Sequence, residues 1–207
     1  MKKIKTLILL AGFSFAAHAQ YDYRDSNRIG ISIGLNQFTL NTSDVESKPG
    51  TGWNGGLSVR GNFYNDFDMV YAIQFSENNF EVATVNGFAE EQVKFKLPSA
   101  QISLLLSYKI VENHLSIELG PMIQVNGKLT FAEDDEENIV SGTTLTAKEF
   151  SDISKFNFYP TVGITAGLKQ FRVNVMYQYG VTNILGNLDG NLTGHAGILS
   201  GSVIFYL

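Results

Sequence analysis

Few groups in this chain are of a type and spacing that could do chemistry. His195 has Asp189 and several Ser and Thr close by in sequence, and a histidine with a hydroxyl and a carboxylate is the set used for acyl transfer. No Gly–x–Ser–x–Gly elbow accompanies it, and no spacing fixes a serine against this ring, so His195 reads as a strand-end histidine. Glu133, Asp134, Asp135, Glu136 and Glu137 are five consecutive carboxylates that could collect divalent cations or meet a basic partner. They lack the alternating oxygen ligands and the glycine of a calcium loop, so the expectation is a solvated, mobile acidic loop. With no cysteine, thiol catalysis, zinc fingers and disulfides are excluded. No phosphate loop, dinucleotide fingerprint or His pair at metal spacing is present. The expectation is therefore a non-enzymatic chain without catalytic, cofactor-binding or metal residues.

The elements that must position these groups are strands. Ile29, Ile31, Ile33 and Leu35 alternate with Gly30, Ser32, Gly34 and Asn36. The same period of two recurs around Leu57–Phe63, Met69–Phe75, Ile102–Tyr108, Leu115–Val125, Val162–Leu168, Phe171–Tyr179 and Leu199–Leu207. One face of these eight strands is large and apolar, and the other is Gly, Ser, Thr, Asn and Gln with few charges. A water-soluble barrel reverses that arrangement, so the polar face reads as a lumen and the apolar face as a lipid contact.

Connection lengths fix the direction. The links after the second, fourth and sixth strands are short, at 64–66, 111–114 and 169–170. The others are long, at 41–52, 78–92, 132–155 and 182–193. This alternation predicts an all-β fold, an eight-stranded antiparallel up-and-down transmembrane β-barrel with short periplasmic turns and long extracellular loops. Two aromatic belts are expected. Tyr64, Phe67, Tyr108, Phe171 and Phe205 would sit at the periplasmic interface, and Phe38, Trp53, Phe95, Phe131, Phe158 and Tyr179 at the outer one. Lys2, Lys3 and Lys5, the apolar run 7–13 and Ala17-His18-Ala19 read as a signal peptide over residues 1–19, followed by one barrel domain over 20–207. Its removal takes the formal net charge from −5 to −8. That acidic balance argues against nucleic acid and leaves outer-membrane lipid, with an envelope protein complex, as the partners.

Projection onto the strands turns Arg60, Asp68, Lys109, Glu118 and Arg172 inward, all in the periplasmic half. An eight-stranded barrel is only wide enough to be filled by side chains, so such charges must pair or stay hydrated. The expectation is a salt-bridged plug in a closed lumen.

Several segments resemble those of a known family. Glu118-Leu119-Gly120-Pro121 carries a Gly-Pro step in the fifth strand, and Tyr177-Gln178-Tyr179-Gly180-Val181-Thr182-Asn183-Ile184 follows a Tyr–x–x–Gly–Leu–Thr–Asn–Ile pattern at the outer end of the seventh. Lys96-Leu97-Pro98 adds a strand-four proline, with Ser99-Ala100-Gln101 delaying the apolar run that follows. Over nearly all of 20–207 the chain resembles the PorT-like outer-membrane β-barrel family of Bacteroidota. The resemblance implies the barrel fold and brings no catalytic signature. Some relatives serve type IX secretion and gliding, which implies a barrel anchoring or supporting an envelope complex. A free-standing OmpX-like surface barrel for envelope integrity or adhesion is the alternative, and a narrow channel or a lipid-modifying enzyme comes after it.

Overall fold

The computed structural model describes residues 27–87 and 89–207. The signal-peptide segment 1–19 lies outside the described residues. Alternation of large apolar and small polar residues gives β1 (Arg28–Asn41), β2 (Ser47–Tyr64), β3 (Phe67–Asn86), β4 (Ala89–Val111) and β5 (Leu115–Asn126). After these come the short β6 (Ile139–Val140), α1 (Ala147–Phe150), β7 (Phe156–Gly167), β8 (Phe171–Tyr179) and β9 (His195–Tyr206). Each long strand pairs antiparallel with its neighbours, and β1 pairs with β9 from Gly30↔Tyr206 to Asn41↔His195. The β2–β3 ladder completes the ring, so eight strands close without a free edge, and β6 sits outside that ring on the upper part of β3. Closure satisfies every backbone group that would otherwise face hydrocarbon.

The outward face is the lipid contact. Ile31, Ile33, Leu57, Ile73, Ile102, Leu119, Ile164, Val175 and Leu199 are all exposed, as a membrane wall requires. The periplasmic turns are tight. Asn65 and Asn113 take left-handed backbone (φ 46° and 60°), a conformation that asparagine tolerates by hydrogen-bonding locally.

At the outer end the strands run on past the lipid band. A transmembrane strand needs about 9–11 residues, whereas β3 has 20 and β4 has 23. The expected loop 78–92 is instead a paired hairpin, in register to Asn86↔Ala89. The 41–52 link likewise shortens, because β2 already begins at Ser47. Period two continues through these segments with polar outward residues, which hides them from a search for apolar alternation.

Candidate functional site

The lumen has two differently built ends. At the periplasmic end five strands, β2 to β5 and β9, bring one guanidinium into a cage of acceptors. Arg60 of β2 is buried, and its Nη1 donates to Asp68 Oδ2 of β3 at 3.3 Å and to Ser107 Oγ of β4 at 2.7 Å. Its Nη2 bonds to Glu118 of β5, and its Nε donates to Tyr206 Oη of β9 at 3.2 Å. Lys109 Nζ lies 3.5 Å from Asp68 Oδ1. Arg60, Asp68, Lys109 and Glu118 therefore form one connected network. Ser107 and Tyr206 belong to it as well. Both share the inward parity at that height, the signal that would have found them.

Arg172 does not join the network, contrary to the salt-bridged plug expected to include it. Its side chain is buried, but among the described residues it makes no ion pair, and its Nε donates to the Leu168 carbonyl at 3.3 Å. The reason is register. Arg172 stands opposite Gly167 and Ile204, while the two carboxylates are taken by Arg60 and Lys109 from β2 and β4. Above the charges, Ser32, Gln74, Ser103 and Gln178 line a cavity of about 40 Å³, with Val70, Leu105 and Met176 packed beside it. That volume is room for a few ordered waters.

The outer end is closed by apolar groups, a feature missed in the polar reading of the lumen. Phe38 and Phe95, expected in the outer aromatic belt, point inward and are fully buried. Each lies on its strand's inward parity, beyond the height at which the lumen is polar. Phe80 packs against both, with ring centroids 5.2 Å from Phe38 and 5.6 Å from Phe95, and Phe95 also meets Phe131 and Phe150. Phe131 is thus a cap residue too. Trp53, Phe158 and Tyr179 do face outward, as do Tyr64, Tyr108, Phe171 and Phe205 at the other end.

The long segment 127–155 supplies the lid. Its acidic run is folded instead of loose. Glu133–Asp135 form one 3-10 turn, Asn138 Nδ2 donates to Asp135 Oδ1 at 3.1 Å, and Lys148 pairs with Glu136 at 2.9 Å. Val140, Leu145, Ala147, Phe150 and Ile153 pull the segment down, because burying them over the open mouth offsets the entropy of ordering the loop. A capping box starts α1: Glu149 N donates to Thr146 Oγ1 at 3.2 Å, and Thr146 N donates to Glu149 Oε2 at 2.9 Å. The Thr146 backbone N–H, and after it the Thr146 hydroxyl, which donates to Glu149 Oε2 at 3.1 Å, hold the Glu149 carboxyl below the ordinary glutamate value. Hydrogen bonding to Glu136, then its charge, raises Lys148. Among the described residues no three His, Asp or Glu are grouped to hold a metal ion.

The family-like residues turn out to be fasteners. At Gly120 a side chain would strike the Leu104 carbonyl, so the step before Pro121 allows β4 and β5 to approach closely. Tyr177 faces outward on β8, and beyond that strand Gly180 N donates to the Ala196 carbonyl at 2.7 Å. Thr182 Oγ1 takes the Phe158 N–H at 3.2 Å and donates to Asn157 Oδ1 at 2.9 Å. Asn183 Oδ1 accepts from Leu185 N and Gly194 N at 3.0 and 2.8 Å, while its Nδ2 donates to the Leu192 carbonyl at 2.8 Å. Ile184, Leu185 and Leu188 are thereby pinned into the cap. His195 is part of this brace. Its Nδ1 lies 3.0 Å from the Gly180 carbonyl, its ring stacks on Tyr179, and no Ser or Asp side chain bonds to it among the described residues.

Comparisons with known proteins agree with this geometry. The profile of the family described as outer membrane protein beta-barrel domain matches residues 18–186. No curated protein sequence matches the chain. Among solved structures, Neisserial surface protein A superposes with a TM-score of 0.51 at 13% identity, over 86% of this chain and 96% of that one. Ail, the attachment invasion locus protein of Yersinia pestis, solved with the heparin analogue sucrose octasulfate, superposes with a TM-score of 0.50 at 17% identity. That match covers 88% of this chain and 99% of Ail.

Proposed function

The chain belongs to the outer membrane protein beta-barrel domain family and lies in the outer membrane, and on that premise we propose that it is a non-enzymatic barrel, closed at both ends, that holds a folded cap at the cell surface for another envelope component to dock on. The asymmetry of the two ends carries this reading. Periplasmic links of two or three residues leave almost nothing for a partner to grip. The outer segments instead share one buried apolar core and offer a preformed surface. Segments 42–51, 77–96, 127–155 and 180–194 carry fourteen carboxylates against six lysines, which suits a partner with a basic face. A sulfated ligand such as the one bound to Ail suits so acidic a cap poorly.

The Gly120-Pro121 step and the Tyr177–Ile184 pattern support the PorT-like branch of the family, a Bacteroidota source and a role in a secretion- or gliding-type complex. The test is a native gel of endogenous outer membranes in mild detergent, with mass spectrometry of the band. A large band with reproducible companions is the expected result. Migration alone near monomer size would replace this reading with the free-standing OmpX-like barrel for envelope integrity or adhesion, which the short periplasmic turns favour equally. Acyl transfer to added lipid, abolished by His195→Ala, would overturn the non-enzymatic assignment.

A further inference from the structure

The lipid-facing wall is not smooth. A groove of about 590 Å³ runs across β2, β3, β4 and β5, walled by Trp53, Phe75, Pro98, Ala100 and Val125. That volume lies within the range of ligand-binding clefts, about 300–1,000 Å³. Small residues make the notch. Gly127 N donates to the Pro98 carbonyl at 2.8 Å, so neither strand raises a long side chain at the centre. Trp53 and Phe75 stand on one flank and Val125 on the other.

Its depth follows from the order of the outward side chains. On β3 they pass from Ile73 and Phe75 to Glu77, and on β4 from Ile102 and Ala100 through Pro98 to Lys96. From β5 they pass from Ile123 and Val125 to Gly127 and Lys128. All three transitions fall at the same height, the boundary between the apolar band and the outer water.

Lysines crowd just above it. Lys96 on β4 bonds through its backbone to Thr130, and Lys128 is the second residue before that Thr130. Lys155, which leads into β7, accepts the Asn126 N–H at 2.8 Å. These three exposed side chains form no ion pair among the described residues. The other outer lysines are differently placed. Lys48 and Lys94 both stand opposite Glu81 in the strand register, and Lys148 pairs with Glu136. The acidic outer surface thus has one cationic sector, and it overhangs the groove.

We propose that this is a binding site for one phosphate-bearing lipid of the outer leaflet, with an acyl chain along the groove and the phosphate on Lys96, Lys128 and Lys155. Glu77 lines the β3 side and repels the phosphate from it, which gives the lipid one orientation. The site does not depend on what docks on the cap.

Trp53 is the only tryptophan in the chain and reports occupancy directly. The full-length protein is reconstituted in phosphatidylcholine vesicles containing a small fraction of phosphatidic acid with a brominated acyl chain. A matched set carries the same fraction of brominated phosphatidylcholine. Quenching of Trp53 by the phosphatidic acid should correspond to a local enrichment of about five-fold for each lysine engaged. Lys96→Gln, Lys128→Gln and Lys155→Gln together should bring it down to the phosphatidylcholine level. Ala100→Leu fills the notch and should do the same with the lysines intact. Unchanged heat-modifiable gel migration verifies that each variant is folded. Equal quenching by the two lipids in the unaltered protein would overturn the site, as would a preference that survives the triple variant.

Discussion

The two ends of one lumen are closed by opposite chemistry. At the periplasmic end, Arg60, Asp68, Ser107 and Glu118 come from four adjacent strands, β2 to β5, whose ladder fixes every side chain relative to the next. Directly opposed residues hold their Cβ atoms about 4.5–5.5 Å apart, a separation that lets charges meet without a search. At the outer end Phe38, Phe80 and Phe95 also stand on ladders, but the groups that close over them, Leu145, Phe150, Ile153, Ile184 and Leu185, arrive on loops, which have no ladder to set them. There the chain uses rings and aliphatic groups, whose attraction is non-directional and tolerates approximate placement. Rigid positioning permits ionic closure, and a loop-built closure favours hydrocarbon.

That contrast breaks most visibly at Glu118. Glu118→Ala leaves the buried Arg60 without its Nη2 partner, and removing one member of a buried pair costs about 3–5 kcal/mol. The measurement is the denaturant midpoint of the barrel in detergent or vesicles. Arg60→Met combined with Glu118→Leu should recover most of the loss, since an apolar pair of similar size avoids the unpaired charge. A loss below about 1 kcal/mol in the single variant would mean that hydration, and not the carboxylate, supports Arg60.

The cap should yield differently. Phe95→Ala removes the ring that meets Phe80, Phe131 and Phe150, for about 3 kcal/mol at the low end of the range because loops can collapse into the space. The expected sign is rapid proteolysis within 132–155 with the strand midpoint almost unmoved. A joint collapse of cap and barrel would show that the two ends are a single cooperative unit.

Legibility in the sequence divides along the same line. Arg60, Asp68, Lys109 and Glu118 were readable because parity and turn length alone give a strand residue its side and height. Arg172 obeys the same parity and is buried inside. Its lack of an ion partner depends on which strands stand beside it and what Arg60 takes first, which parity does not encode. Phe38 and Phe95 also carried inward parity, but their size made them look like belt aromatics. The lid was hidden for another reason. Its core draws Leu145, Phe150, Ile153, Ile184 and Leu185 from two loops far apart in sequence, so no local period marks it. The Tyr177–Ile184 motif was visible as a pattern, and only the hydrogen bonds of Thr182 and Asn183 explain it.

Asn183 gives a smaller, sharper test of that explanation. Asn183→Ala leaves Leu185 N and Gly194 N without their acceptor and the Leu192 carbonyl without its donor. The cost should be about 1–3 kcal/mol, felt in the 184–194 loop. Amide exchange there should accelerate well before exchange in β8 or β9 changes. If Asn183→Asp, which keeps the acceptor, restores slow exchange, the bonds to the two N–H groups are the fastener.

The smallest expected effect is a pH dependence confined to the cap. The Thr146 backbone N–H, with its hydroxyl, lowers the Glu149 carboxyl in the folded chain relative to its ordinary value of 4.5. The folded state therefore binds the proton less readily than the unfolded one. The contribution of the capping box is fully present above about 4.5 and disappears as the pH falls through the lowered value. Amide exchange at Phe150 and Ser151 should quicken over that acid window, and Glu149→Gln should flatten the response. Lys148 works with the opposite sign. Raised by Glu136 above 10.5, it contributes fully below that value and loses its contribution as the pH climbs through the raised one. Since Lys148 and Glu149 stand in water while Ala147 and Phe150 are buried in the lid, the capping bonds at the start of α1 can break in acid while Phe150 stays packed on Phe95. Loss of the Phe95–Phe150 contact in the same pH window, seen as simultaneous protease sensitivity across 132–155, would mean that the capping box, and not the apolar core, holds the outer closure in place.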